Sequence, residues 1–123
     1  MAAEKILIVD DEEIVRISLE AYLEDEGYEV ISAISGEDAL EILNTSRFDI
    51  GIIDMRLPGI DGDTLILEAK KLIPKMKFIV HTGSIGYSVS ESLLNIGVFD
   101  KFVFKKPIKN MKIFVETIRE LLD

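Results

Sequence analysis

The chain has 123 residues, 48% hydrophobic and 30% charged, which suits a soluble globule with one core and excludes a disordered chain. Fourteen Lys+Arg against twenty-three Asp+Glu leave a formal net charge of −9 at pH 7, a balance that repels nucleic-acid backbones and anionic membrane surfaces. The absence of cysteine removes disulfides, thiolate zinc sites and cysteine nucleophiles together.

The first residues run from Met1 to Lys5 straight into Ile6-Leu7-Ile8-Val9, too short and wrongly flanked for a signal peptide. No apolar run approaches the roughly 20 residues of a membrane span, so a cytoplasmic protein is expected. Ile6 to Val9 reads as a first strand, apolar at consecutive positions as in a parallel strand covered on both faces. A helical segment follows with Ile14, Ile17, Ala21 and Tyr22 on one face, and Gly27 ends it where a left-handed residue belongs. Val30-Ile31 is the second strand. Ser35-Gly36-Glu37 opens a second helix carrying Ala39, Leu40 and Leu43.

Ile50-Gly51-Ile52-Ile53 is the third strand, and a helix over 62–73 carries Leu65, Ala69 and Leu72 before Pro74 stops it. Phe78-Ile79-Val80 is the fourth strand. The least regular helical segment, 86–96, is serine-rich with Val89, Leu93 and Ile96 as its apolar face. Phe102-Val103-Phe104 is the fifth strand. From Asn110 as N-cap, the last helix places Ile113 or Phe114, then Ile118, Leu121 and Leu122, on one stripe. Strand and helix alternate five times, which predicts a parallel sheet with right-handed crossovers and helices on both faces. Ligands of such sheets bind beyond the carboxyl ends of the strands.

Those ends carry the chemistry. Asp10-Asp11-Glu12-Glu13 follows the first strand and Asp54 the third, so Asp10, Asp11 and Asp54 would meet at one edge if those strands are neighbours. Crowded carboxylates repel unless a cation intervenes, and oxygen-only ligands with few carboxylates suit magnesium. Glu12 and Glu13 are also explained as charges complementing a helix dipole, but Asp54 precedes a loop, Met55-Arg56-Leu57-Pro58-Gly59. Thr82-Gly83-Ser84 follows the fourth strand and Lys105-Lys106-Pro107 ends the fifth. Singly, Thr82 could cap a turn and the lysines could be a solvated strand end. Together, carboxylate, hard cation, hydroxyl and ammonium suit a phosphoryl group.

Through Ile8-Val9-Asp10-Asp11, Asp54 to Gly62, Thr82-Gly83 and Lys106-Pro107, the chain resembles the receiver domain of bacterial two-component response regulators, essentially end to end. The resemblance implies a single receiver domain over 1–123 with an α/β, flavodoxin-like, doubly wound (βα)5 three-layer sandwich of sheet order 2-1-3-4-5. It implies Asp54 as phosphoacceptor from a sensor histidine kinase or histidine phosphotransfer protein. It implies a magnesium site of Asp10, Asp11, Asp54 and the main-chain carbonyl of Arg56, with Thr82 as switch hydroxyl. A lysine before Pro107 would pair with the phosphoryl group across a frequently cis peptide. Lys106 is preferred for its place before the proline, with Lys105 as the fallback because Phe102 lies three residues before it. Phe102 or Phe104 would be the switch aromatic, and 97–107 is long enough to expect a bulge. The implied product is an aspartyl phosphate that re-biases the last two helices, and Arg56 and Ser84 beside the acceptor would set its hydrolysis rate. A downstream effector, an attached output domain or a phosphorylation-dependent dimer would read it, with no direct nucleic-acid or membrane contact. The chain is expected to be a stand-alone or an excised receiver.

Other chemistries fit the residues less well. A flavin carrier of the same sheet order needs a hydroxyl- and glycine-rich loop where Asp10 to Glu13 stand. An aspartyl-phosphate hydrolase needs a second aspartate where Arg56 stands. The one histidine, His81, lies inside the fourth strand and reads as structural. Asp61, Asp63 and Glu68 lack the spacing of a calcium loop. A degenerate receiver that only docks partners would not need its acceptor, acidic pair, threonine and lysine all intact.

Overall fold

A computed structural model describes residues 3–123. Strands β1 (Lys5–Val9), β2 (Glu29–Ala33), β3 (Ile50–Ile53), β4 (Lys77–Thr82) and β5 (Val103–Lys105) form one parallel sheet in the order β2-β1-β3-β4-β5. Helices α1 (Glu13–Asp25), α2 (Gly36–Leu43), α3 (Gly62–Leu72), α4 (Glu91–Leu94) and α5 (Lys112–Leu122) connect and follow the strands. The doubly wound three-layer sandwich is therefore as expected. Side chains alternate across a strand, so each strand feeds two cores. On one side Leu7, Val9, Ile53, Phe78 and Val80 meet α2, α3 and Leu93 of α4. On the other, Ile6, Ile8, Ile50, Ile52 and Ile79 meet Leu19 and Leu23 of α1 and Phe114, Val115 and Ile118 of α5.

Local sequence explains most boundaries. Ser35 accepts the Asp38 amide at the start of α2, and Asp61 accepts the Thr64 amide at the start of α3. Gly27, at φ +98°, reverses the chain after α1 in the left-handed conformation. The edge strand β2 alternates partly buried and exposed residues, whereas β1 and β3 are almost wholly buried.

Expectations for five segments need correction. The face of α1 that packs is Val15, Leu19, Tyr22 and Leu23, while Ile14 and Ile17 are 79% and 56% exposed and Ala21 is exposed too. Two apolar stripes at helical spacing share this helix, and only tertiary packing decides which meets the sheet. In α3, Ile66 is buried and Leu72 is exposed at the helix end. The fourth helix shrinks to one turn, because the Ser90 hydroxyl accepts the Leu93 amide and starts the helix there. The extra length before Pro107 forms a 3-10 turn, Asp100–Phe102, so no bulge is needed and Phe102 precedes β5. In α5 the N-cap is Met111 and not Asn110, whose side chain accepts the Lys112 amide from one residue further out, and Phe114 rather than Ile113 enters the core while Leu122 is exposed.

His81 faces the α1–α5 layer, its ring edge-on to Phe114 at 5.1 Å. It is 6% exposed, and neither ring nitrogen has a hydrogen-bond partner among the described residues. Burial first, then the charge of Lys106, lowers its pKa to about 4 against the opposing charge of Asp10. Below the ordinary histidine pKa the unfolded chain takes up a proton that the folded chain refuses until about pH 4. Stability from this group is thus lost as pH falls from 6.5, reaching on the order of 3 kcal/mol near pH 4. His81→Leu is expected to flatten the acid limb of a urea-midpoint-against-pH curve; a curve parallel to the parent's rules this out.

Candidate functional site

The parallel register brings the ends of β1, β3, β4 and β5 to one rim. Val9 pairs with Ala33 and with Ile53, Ile53 with Val80, and Thr82 with Lys105. Beyond that line the backbone continues the ladder for one residue. The Asp10 amide donates to Ala33, the Asp54 amide to Val9 and the Lys106 amide to Thr82. Asp10 and Asp54 are thereby fixed side by side, 2% and 4% exposed.

Lys106 holds the pair together. Its Nζ lies 2.7 Å from Asp10 Oδ2 and 3.2 Å from Asp54 Oδ2, with Glu12 Oε1 at 3.7 Å. The Lys106–Pro107 peptide is cis. The remaining Asp54 oxygen, Oδ1, accepts the Arg56 amide at 3.2 Å, and Asp10 Oδ1 accepts the Glu12 amide at 2.9 Å. Asp11 is exposed, yet one carboxylate oxygen from each of Asp10, Asp11 and Asp54 lies within 4.8 Å of the others. Burial, and secondarily the Asp10 charge, raises the Asp54 pKa despite the Arg56 amide and Lys106. Burial alone would lower that of Lys106. The hydrogen bond and charge of Asp10, with those of Asp54, outweigh it and leave the ammonium pKa raised.

Thr82 is fully buried at the same rim, its Oγ1 accepting the Ser84 amide at 3.1 Å. Arg56 meets the cluster through its main chain, with its side chain exposed. Lys105 points elsewhere, donating to the carbonyls of Ser84 and Tyr87 at 3.2 Å each. Neither Phe102 nor Phe104 adjoins the carboxylates: Phe104 packs on Phe114 in the α1–α5 layer, and Phe102 lies against Phe99 before β5 begins. Sequence reasoning missed Arg16, whose Nη1 donates to the Asp10 carbonyl at 2.7 Å; a basic residue in the first turns of α1 was the available signal. It also missed Gly62. A Cβ there would lie 2.6 Å from the Asp54 carbonyl oxygen and 2.7 Å from Met55 Cα, so only glycine lets α3 start against the loop that follows Asp54.

All-oxygen donors, three carboxylates against one ammonium, leave the cluster with an excess of negative charge that a hard divalent cation can offset. The family model for the response regulator receiver domain matches residues 6–118. The sensor kinase CckA of Brucella abortus is 34% identical over 120 residues, 96% of this chain and 12% of that protein. Sporulation initiation phosphotransferase F of Bacillus subtilis is 38% identical over 82 residues, 67% of this chain and 66% of that protein. The chain thus matches a small part of the first and just under two thirds of the second. Among solved structures, a CheY-like receiver domain protein from Methanospirillum hungatei superposes with a TM-score of 0.86 at 36% identity, covering 99% of this chain and 95% of that one. The response regulator TrrA of Thermotoga maritima, solved in complex with Mg2+-BeF, gives 0.81 at 30% identity, covering 96% and 98%.

Two stability outcomes follow from the geometry. Gly62→Ala should cost about 2 kcal/mol in chemical denaturation, because two of the three atoms a Cβ would meet, the Asp54 carbonyl oxygen and Met55 Cα, are backbone and cannot rotate away as the Met55 methyl can. Asp54→Asn should stabilise the protein at pH 7, since it removes a charge whose burial the fold disfavours while leaving the Asp10–Lys106 pair in place. A raised carboxyl pKa penalises the ionised form, so this gain should shrink as pH falls through the Asp54 pKa toward that of the unfolded chain. A gain that grows in acid contradicts this account.

Proposed function

This chain belongs to the response regulator receiver family, and on that premise we propose that Asp54 is the residue that accepts its phosphoryl group. The observation that carries the assignment is the Lys106 ammonium bridging Asp10 and Asp54. It sits where it can neutralise charge on an entering phosphoryl group as well as on the carboxylate. Asp10, Asp11, Asp54 and the main-chain carbonyl of Arg56 would hold Mg2+. Bound there, the ion supplies charge neutralisation for the oxygens of donor and acceptor.

The donor is a phosphohistidine of a sensor histidine kinase or a histidine phosphotransfer protein. An Asp54 oxygen attacks phosphorus in line, an O–P bond forms, the N–P bond breaks and its electron pair stays on the departing imidazole. Asp10 and Arg56 contribute before that step by orienting Lys106 and one Asp54 oxygen. The acyl phosphate brings nearly two negative charges, and the Thr82 hydroxyl turns to donate to one of its oxygens. Water then cleaves the acyl phosphate, with Arg56 and Ser84 beside the acceptor tuning the rate. The protein so acts as a signalling phosphoacceptor that catalyses only its own phosphorylation and dephosphorylation. Residues 1–123 are read as one receiver domain, cytoplasmic, coupled to an effector, an output domain or a phosphorylation-dependent dimer. No helix among the described residues is long and apolar enough to cross a membrane.

Incubation with Mg2+ and acetyl phosphate, followed by intact mass, is expected to show one phosphoryl adduct. Asp54→Ala should abolish it, and Lys106→Ala should slow its formation roughly 100-fold. An adduct that survives Asp54→Ala would falsify the assignment.

A further inference from the structure

The alternation of β4 places Thr82 on the same face as Phe78 and Val80, toward the α2–α3–α4 layer. On β5 that face carries Val103 and Lys105, and Phe104 points to the opposite layer. No phenylalanine of the fifth strand can therefore follow a movement of Thr82 directly. An aromatic does stand on the Thr82 side, but it comes from the connection between β4 and α4. Tyr87 is half-buried against that layer, with the Lys105 ammonium 5.3 Å from its ring centroid.

The same short segment is tied at every end. Lys105 Nζ donates to the Ser84 and Tyr87 carbonyls, the Tyr87 hydroxyl donates to Asp63 Oδ1 in the first turn of α3 at 3.3 Å, and the Ser84 amide donates to Thr82 Oγ1. Burial, with Asp63 beside it, raises the phenol pKa, so the hydroxyl remains a donor throughout the neutral range. One lysine, one tyrosine and one aspartate thus latch residues 84–87 to β5 and α3. The inner end of the segment is bonded to the threonine hydroxyl.

We propose that Tyr87, held by Lys105 and Asp63, is the switch aromatic of this protein, in place of an aromatic on β5. The proposal rests on the reading of Asp54 as phosphoacceptor and Thr82 as the hydroxyl that turns to it. When Thr82 turns, Oγ1 draws the Ser84 amide with it or releases it, and either movement strains the Lys105 and Asp63 ties. Phosphorylation is then read at the first turn of α3 and the single turn of α4. Lys105 is a positioning residue for the segment and has no part in pairing with the phosphoryl group.

The chain has three tyrosines and no tryptophan, so Tyr22→Phe/Tyr28→Phe leaves Tyr87 as the sole tyrosine fluorophore. Beryllium fluoride with Mg2+ serves as the phosphoryl mimic, and acetyl phosphate with intact mass checks independently that Asp54 is modified. The Tyr87 emission and ring NMR signals should shift on adding the mimic, and not in Asp54→Asn. Because the latch opposes the turn, Tyr87→Phe should tighten apparent mimic affinity about five-fold, the worth of one net hydrogen bond. A residue that merely supports the fold would not produce tighter binding. An Asp54 adduct with an unchanged Tyr87 signal, or unchanged or weaker mimic affinity in Tyr87→Phe, overturns the proposal alone. Absence of any adduct overturns the phosphoacceptor reading, and this one with it.

Discussion

Two buried carboxylates cannot lie side by side without a counter-charge, and the Lys106 ammonium between Asp10 and Asp54 is the constraint around which the rim is organised. The charges are almost out of water, and removing Lys106 would leave both carboxylates without their counter-charge. Together they remain short of neutral, since Asp11 and Glu12 add negative charge on the solvent side. The balance leaves the pocket receptive to further positive charge, and it restrains the Asp54 carboxylate through both of its oxygens. A fold built only for stability has little reason to gather such charges at one edge.

The sheet makes this affordable in geometric terms. Asp10, Asp54 and Lys106 each use a main-chain amide to extend the ladder one residue past the strand, so their Cα positions are set by rigid backbone. The side chains therefore need little further ordering to meet. Both faces of β1 and β3 are buried, so no shift of register could move one carboxylate without moving a core with it. The α1–α5 layer supports β1 from beneath through Leu19 and Leu23, and α3 closes in from the other side through Gly62.

The element order and the carboxylate cluster were legible because both rest on strong, local signals. Consecutive apolar residues at Ile6 to Val9 and Ile50 to Ile53 announce buried parallel strands, and acidic residues directly after them are placed by the strand ends. That Lys106 rather than Lys105 reaches the carboxylates was legible too, from the neighbouring proline. What escaped was decided by packing. Ile14 and Ile17 form as good a stripe as Val15 and Leu19, and nothing within α1 says which meets the sheet. The contacts of Tyr87 were hidden because its partners, Asp63 and Lys105, come from two other elements. The shortness of α4 follows from serine hydroxyls that compete for backbone partners, a contest that apolar spacing does not register.

That single turn has a thermodynamic consequence. With so few backbone hydrogen bonds of its own, the corner holding residues 83–97 is held chiefly by Leu93 in the α2–α3–α4 layer, so it can open at the expense of that side alone and leave the α1–α5 core intact, a sub-global event less costly than unfolding. The molecule thus combines a stiff interior with one compliant flank, and that flank begins at the buried threonine.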